Sequence, residues 1–273
     1  MSSEDQRSSE HDEDLGPDAL APLMIDNGYA LLTLSRAHRG NALSAALVHA
    51  LNTQIQRAVN TESVHSLVFE GAGRHFCTGF DLSGLDNLSE ADLLERFVRV
   101  ELLLDAIWRS PVRTIAIAHG RCWGAGADLF AACDLRIAVP GSSFRFPGAG
   151  FGIVLGSRRL AHRVGAECAR RLISEATSLT AEQALDQGLA TQLTDPRPEG
   201  ESPSLTAWRQ TLLPPAVAID RETLACVRRA TEPGGSSMAQ TLADVDLATL
   251  VRSATRDGLK ARVTAYRQRL AAQ

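Results

Sequence analysis

Apolar and polar positions along this chain fall into short runs whose period switches between that of a strand and that of a helix. ALLTLS, from Ala30, is rich in β-forming residues and reads as a strand. NALSAALVHALNTQIQRAV (residues 41–59) then carries apolar residues at helical spacing, with Ser44 placed to cap the first free N–H groups. SLVFEGAG (66–73) is a short apolar strand ending in glycines, and LLERFVRVELLLDAIWRS (93–110) is a long amphipathic helix. That helix must stop before Pro111, because a proline pushes the preceding residue out of helical conformation. TIAIAHG (114–120) is a further apolar strand, and LFAACDLRIAV (129–139) passes from helix into another. Alternating strands and helices predict a layered α/β domain.

The ends have a different texture. Residues 1–20, MSSEDQRSSEHDEDLGPDAL, are acidic and serine-rich. They hold too little apolar surface to offset the entropy of ordering, so a disordered acidic tail is expected. TDPRPEGESPS (194–204) is a polar, proline-containing connection, and MAQTLADVDLATLVRSATRDGLKARVTAYRQRL (238–270) reads as mostly helical. The expected division is therefore a tail over 1–20, a core over 21–195 and a C-terminal helical region over 196–273.

With 273 residues, 44% of them apolar, the chain can bury a sizeable core. A net charge of −4 offers no electrostatic case for a nucleic acid or an anionic membrane as partner. No apolar run approaches the roughly 20 residues needed to span a bilayer. Neither is there a secretory leader pattern, so a cytoplasmic location is the expectation. Of the five cysteines, Cys77, Cys122, Cys133, Cys168 and Cys226, none forms a C-x-x-C pair, and they read as free thiols in a reducing compartment.

Familiar chemical motifs are missing. GAGRHFCTG (71–79) and GAGAD (124–128) do not complete a dinucleotide fingerprint, because Phe76 and Leu129 stand where the last glycine belongs. There is no G-x-S-x-G elbow and no zinc-ligand spacing. What recurs is a layout: SLVFEGAGRHFCTGFDLSGL and TIAIAHGRCWGAGADLFAACD are each an apolar strand, a loop of small residues and an acid. Loops without bulky side chains let backbone N–H groups approach a ligand, and two of them facing one point would form an oxyanion hole.

Four segments in order carry a family resemblance. RAHRGNALS resembles R-P-x-x-x-N-A-L, and FEGAGRHFCTGFDLSGL resembles G-x-G-x-x-F-x-x-G-x-D-L. AHGRCWGAGADLFAACDLRIA resembles N-G-x-x-x-G-G-G-x-E-L-x-x-x-C-D, and SLTAEQALDQGLA resembles T-x-x-A-x-x-A-x-x-x-G-L-V. These are motifs of the crotonase superfamily, the enoyl-CoA hydratase/isomerase family, and the resemblance spans about residues 24 to 195 with a looser continuation.

The resemblance implies a spiral of ββα units with a C-terminal helical trimerisation region, hence a homotrimer or hexamer. It implies an acyl-coenzyme A thioester as substrate and no cofactor beyond that coenzyme A moiety. The N–H groups of Phe80 and Ala125 would hold the thioester oxygen. His38, Arg39 and Ala42, with Gly79, Asp81 and Leu82, fall on segments expected to meet the coenzyme. Asp81 also reads as the cap of a helix following its loop. Asp128 occupies the place of the first catalytic glutamate of a hydratase, and its alternative reading is a helix-cap carboxylate bonded to nearby N–H groups.

One departure matters. Aligning FRFPG (144–148) with F-x-x-P-E puts Gly148 where the second glutamate would stand, and glycine cannot transfer a proton. GIVLGSRRL is also shorter than the family's usual loop there. Arg145, Arg158, Arg159, His75 and Asp86 are the other polar candidates nearby. The expected function is thus acyl-CoA chemistry through an oxyanion hole and a single carboxylate. It is nominally that of an enoyl-CoA hydratase/isomerase with weak or absent hydratase activity. A thioester hydrolase and a non-catalytic acyl-CoA binding protein are the alternatives.

Overall fold

The computed structural model describes residues 15–194, 219–231 and 236–272. A helical turn, α1 (Pro17–Leu20), leads into a hairpin of β1 (Leu23–Asp26) and β2 (Tyr29–Leu34). The two strands turn on Asn27 and Gly28, both at positive φ, and Asn-Gly is the pair that adopts such a two-residue turn most readily. There follow α2 (Ala45–Val59), β3 (Ser66–Gly71), α3 (Glu90–Trp108), β4 (Arg113–Ala118), β5 (Arg121–Trp123) and α4 (Ala125–Ala132). Next come β6 (Leu135–Ala138), β7 (Ser143–Arg145), α5 (Ser157–Val164), α6 (Ala166–Glu175), β8 (Leu179–Thr180), α7 (Ala181–Asp186) and β9 (Gln192–Leu193). The C-terminal helices are α8 (Arg221–Thr231), α9 (Ser236–Ala254) and α10 (Leu259–Ala271).

Strands β1, β2, β3, β4, β6 and β9 make one sheet in that order, parallel except for the first hairpin. Alternation along the strands gives both faces an apolar surface. Leu32, Leu34, Leu67, Phe69 and Ala116 join the main core with the helices, and Leu31, Val68, Ile115 and Ile117 form a second cluster. A small sheet holds β5, β7 and β8, and single bridges from Cys77 to Cys122 and from Leu43 to Phe80 extend it. The chain therefore enters the large sheet at β4, the small one at β5, and then forms α4; β6, β7 and α5 repeat the pattern. The strand β3, the Cys77 bridge and α3 are an abbreviated turn of the same ββα spiral.

Local signals act where the sequence places them. Ser44 accepts the Leu47 N–H at the start of α2, and Ser89 and Asp92 make a reciprocal capping box on α3. Two expectations change. Residues 1–14 of the expected tail lie outside the described residues. The rest is ordered: Leu20 and Ala21 are buried and Gln54 donates to Asp18 (2.8 Å). No helix starts at Asp81, because Gly84 takes a left-handed conformation and only a 3-10 turn over Leu85–Asn87 follows. Within the expected C-terminal helical region, α9 and α10 pack on the core, where Leu250, Ala254, Leu259 and Val263 meet Leu93, Phe97, Phe151 and Ile153. No helix among the described residues is long and apolar enough to cross a membrane.

The loop after β3 is held from behind by a buried polar hub. Asn41, fully buried at φ 56°, accepts the Arg36 N–H (2.9 Å) and donates to the carbonyls of Ala72 (2.8 Å) and His75 (2.7 Å). Arg36 in turn donates to Ala42 O (2.6 Å) and pairs with Asp81 (2.9 Å), whose carboxylate also accepts the Ser83 N–H. Asn41→Ala strands those backbone groups and puts a Cβ-bearing residue without a local hydrogen bond in a left-handed conformation. A stability loss of about 3 kcal/mol is expected, read as a lower urea midpoint at unchanged m.

Candidate active site

Two loops, one after β3 and one after β4, meet backbone to backbone. Cys77 N–H donates to Arg121 O (3.2 Å) and Trp123 N–H to Cys77 O (3.0 Å). A Cβ on Gly79 would lie 2.9 Å from Trp123 O, and one on Gly126 would lie 2.4 Å from Cys77 O, so neither position accepts a side chain. Gly124 has φ 53° and ψ −128°, a backbone region open essentially to glycine alone.

The contact leaves two donors aimed at one space. Leu43 bonds to the residues flanking Phe80, through Gly79 O and Asp81 N, so Phe80's own N–H faces away from that bridge. Ala125 is the first residue of α4, where a helix supplies no acceptor for an N–H. Neither N–H donates to any acceptor among the described residues, and both residues line a cavity of about 130 Å³. Its walls are largely apolar, with Phe80, Phe97, Trp123, Phe146, Phe151 and Ile153 among them. The Phe80 ring stacks on Phe97 at 4.1 Å, and Phe97, Phe151 and Tyr266 continue the aromatic wall.

Asp128 stands in the first turn of α4, three residues past Ala125, and is buried with its carboxyl on this cavity. It is not a cap, for its side chain accepts no N–H, and no hydrogen-bond partner for it occurs among the described residues. Burial pushes its pKa well above the usual carboxylate value; the Glu101 carboxylate pushes the same way and the Arg159 guanidinium opposes both. Gly156 explains how the group fits: a Cβ there would lie 2.2 Å from Asp128 Oδ1. Among the described residues Asp128 is the only carboxyl lining the cavity. Gly148 lines it too, and a Cβ there would meet only Ile153 O, at 3.4 Å.

The remaining candidates separate. Arg159 is fully buried and grips both Glu101 oxygens (2.7 and 2.6 Å), and Asp246 of α9 bonds both Arg159 (3.3 Å) and Arg158 (2.8 Å). These arginines are framework behind Asp128. His75 accepts the Arg121 N–H through Nδ1 (3.2 Å), and burial lowers its pKa, so it braces the loop as a neutral ring. Arg39, Ala42, Asp81, Leu82 and Asp86 line a groove of about 840 Å³ that opens from the cavity, together with Arg121, Arg145 and Arg267. His38 is exposed and is not part of that lining, which separates it from Arg39. None of the five cysteines forms a disulfide, Cys226 is exposed, and burial pushes the Cys77 thiol up to about 12, far from a thiolate nucleophile. Sequence reasoning missed Gly156, Tyr266 and the Glu101–Arg159–Asp246 ties; only the glycine ahead of α5 left a local trace.

A carboxyl with a raised pKa holds a proton in the folded state that the unfolded chain gives up above about pH 3.9. The folded state then binds more protons, so this group's contribution to stability falls as pH rises through that window. Asp128→Asn removes the effect. The variant is expected to be more stable than the parent at pH 7, with the gap narrowing toward pH 4, in urea titrations run at both values.

Comparison with known proteins bears on the same residues. The family model for enoyl-CoA hydratase/isomerase matches residues 24–248. A Mycobacterium bovis protein named "probable enoyl-CoA hydratase" is 37% identical over 174 residues, 62% of this chain and 69% of that protein. A Gallus gallus protein named ethylmalonyl-CoA decarboxylase is 32% identical over 168 residues, and the match spans little more than half of it, 56%. A crystal structure from Bordetella parapertussis, provisionally named an enoyl-CoA hydratase/isomerase, superposes with a TM-score of 0.79 at 39% identity, covering 90% of this chain and 98% of that one. A family model that runs from β1 into α9, together with a ββα spiral shared nearly end to end with that structure, places this chain in the enoyl-CoA hydratase/isomerase family of the crotonase superfamily.

Proposed function

We propose that this protein acts on an acyl-CoA thioester by forming and quenching its enolate, with Asp128 as the single proton-transfer group. One observation carries the reading: a buried carboxyl without a partner shares a small cavity with the unused N–H groups of Phe80 and Ala125. Negative charge that develops on the thioester oxygen is stabilised by these two fixed donors, each worth about 10²–10³ in rate. The raised pKa moves Asp128 away from a permanently ionised group and toward one that can both give and take a proton. The groove leading from the cavity takes the coenzyme, with Arg39, Arg121 and Arg267 on its lining as positive charges for the phosphates.

A single acid suits double-bond migration, in which the same group removes a proton from one carbon and returns it to another. Hydration asks for a second group to activate water, and Gly148 stands where it would come from, so hydration is expected to be slow. A lyase reading has a specific support in the relatives named ethylmalonyl-CoA decarboxylase. Breaking the bond to a departing carboxylate releases CO₂ and leaves the electron pair in the same enolate, which Asp128 protonates.

Enolate formation is read directly by incubating short saturated and enoyl-CoA thioesters in D₂O and following mass. The parent protein is expected to take up deuterium next to the thioester and to shift double bonds, with little water adduct. Asp128→Asn should slow uptake by about 10²–10⁴. Equal rates in the two proteins would sink the single-carboxyl mechanism.

A further inference from the structure

The cavity holds one cation on its otherwise apolar and acidic lining. Arg145 ends β7, paired in register with Trp123, and its carbonyl accepts the Gly124 N–H (2.8 Å) just ahead of the Ala125 donor. Its Nε donates to Ala176 O (2.7 Å), which ties the base of the guanidinium to the end of α6. Trp123 steadies it further: the Arg145 guanidinium lies 5.8 Å from that ring, and the indole is itself pinned to Ser143 Oγ (3.0 Å). The two terminal nitrogens have no acceptor among the described residues, so the fork is oriented but not used.

Nothing in the lining neutralises it. Asp128 is the only carboxyl there, and burial holds it toward its uncharged form. Tyr266 lines the same cavity, with a hydroxyl that has no partner among the described residues, and Arg145 acts on it electrostatically. Arg145 is half-buried at the junction of cavity and groove, and its oriented planar fork matches a carboxylate in two-point contact. The size of the space limits what brings that anion: about 130 Å³ is close to an engineered cavity of about 150 Å³ that accepts benzene.

Resting on the acyl-CoA reading above, we infer that Arg145, assisted by Tyr266, recognises a carboxylate at the far end of a short acyl chain. The substrate class is then the coenzyme A thioester of a short dicarboxylic acid. The carboxylate meant here is retained, not lost as CO₂. An ion pair to a departing carboxylate would stabilise the reactant more than the transition state and slow the reaction.

The test is equilibrium binding, by calorimetry, of two saturated ligands of equal chain length that enolisation returns unchanged in water, glutaryl-CoA and pentanoyl-CoA. The parent is expected to prefer glutaryl-CoA by at least about tenfold. Arg145→Gln should weaken glutaryl-CoA by about 10- to 100-fold while pentanoyl-CoA stays within about twofold, which also reports that the pocket has folded. Arg145→Lys should keep part of the preference and Tyr266→Phe should lose part of it. Equal affinity for both ligands in the parent overturns the inference and leaves the acyl-CoA reading standing. Parallel weakening of both ligands in Arg145→Gln also overturns it, because the arginine would then be gripping the coenzyme. Failure of both thioesters to bind removes the acyl-CoA reading, and this inference with it.

Discussion

The organisation of this protein depends on a backbone contact with no room for side chains. Cys77 to Phe80 runs beside Arg121 to Ala125 closely enough that a single methyl on Gly79 or Gly126 would collide with a carbonyl. That contact joins two turns of the spiral, extends the small sheet by one bridge, and sets where α4 begins. Because α4 begins there, an unbonded N–H and, one turn on, a carboxyl lie on the same side of the helix start. Spacing along one short helix thus does what would otherwise require several separate elements.

The electrostatics follow from burial. Three acids near α3 and α4, namely Glu101, Asp105 and Asp128, all have raised pKa values with desolvation as the leading cause. Glu101 is compensated by Arg159, one of whose terminal nitrogens donates to both carboxylate oxygens, whereas Asp128 receives only the more distant field of that arginine. The framework therefore pairs one buried acid with a guanidinium and leaves its neighbour without a hydrogen-bond partner among the described residues. Such a division of roles between buried carboxyls is a recurrent way to make one group reactive at neutral pH.

Much of this could be read from residue order. The strands at Tyr29, Ser66 and Arg113 and the long helices at Ala45 and Glu90 announce themselves through apolar period and caps, because those signals are local. The two glycine loops and Asp128 also stand out, since loop, helix start and acid lie within a few residues of one another. Asp81 was misread because its partner, Arg36, sits on another segment and no local pattern announces a buried pair. Arg159 and Glu101 meet only when α5 folds over α3, and Tyr266 reaches the cavity only when α10 packs on the core. Arg145 was visible as a candidate, but its free fork depends on a carbonyl at Ala176 that only the folded chain brings near.

The aromatic wall has a consequence for the order in which the site comes into being. Phe80, Phe97 and Phe151 are contributed by the spiral, but Tyr266 and Leu270 come from the last helix described. During synthesis the acid and both donors are laid down early, and the chamber that keeps water from them is closed late. A nascent chain that has completed its spiral would thus hold an open and wet pocket. The closed chamber is therefore complete only once α10 has docked.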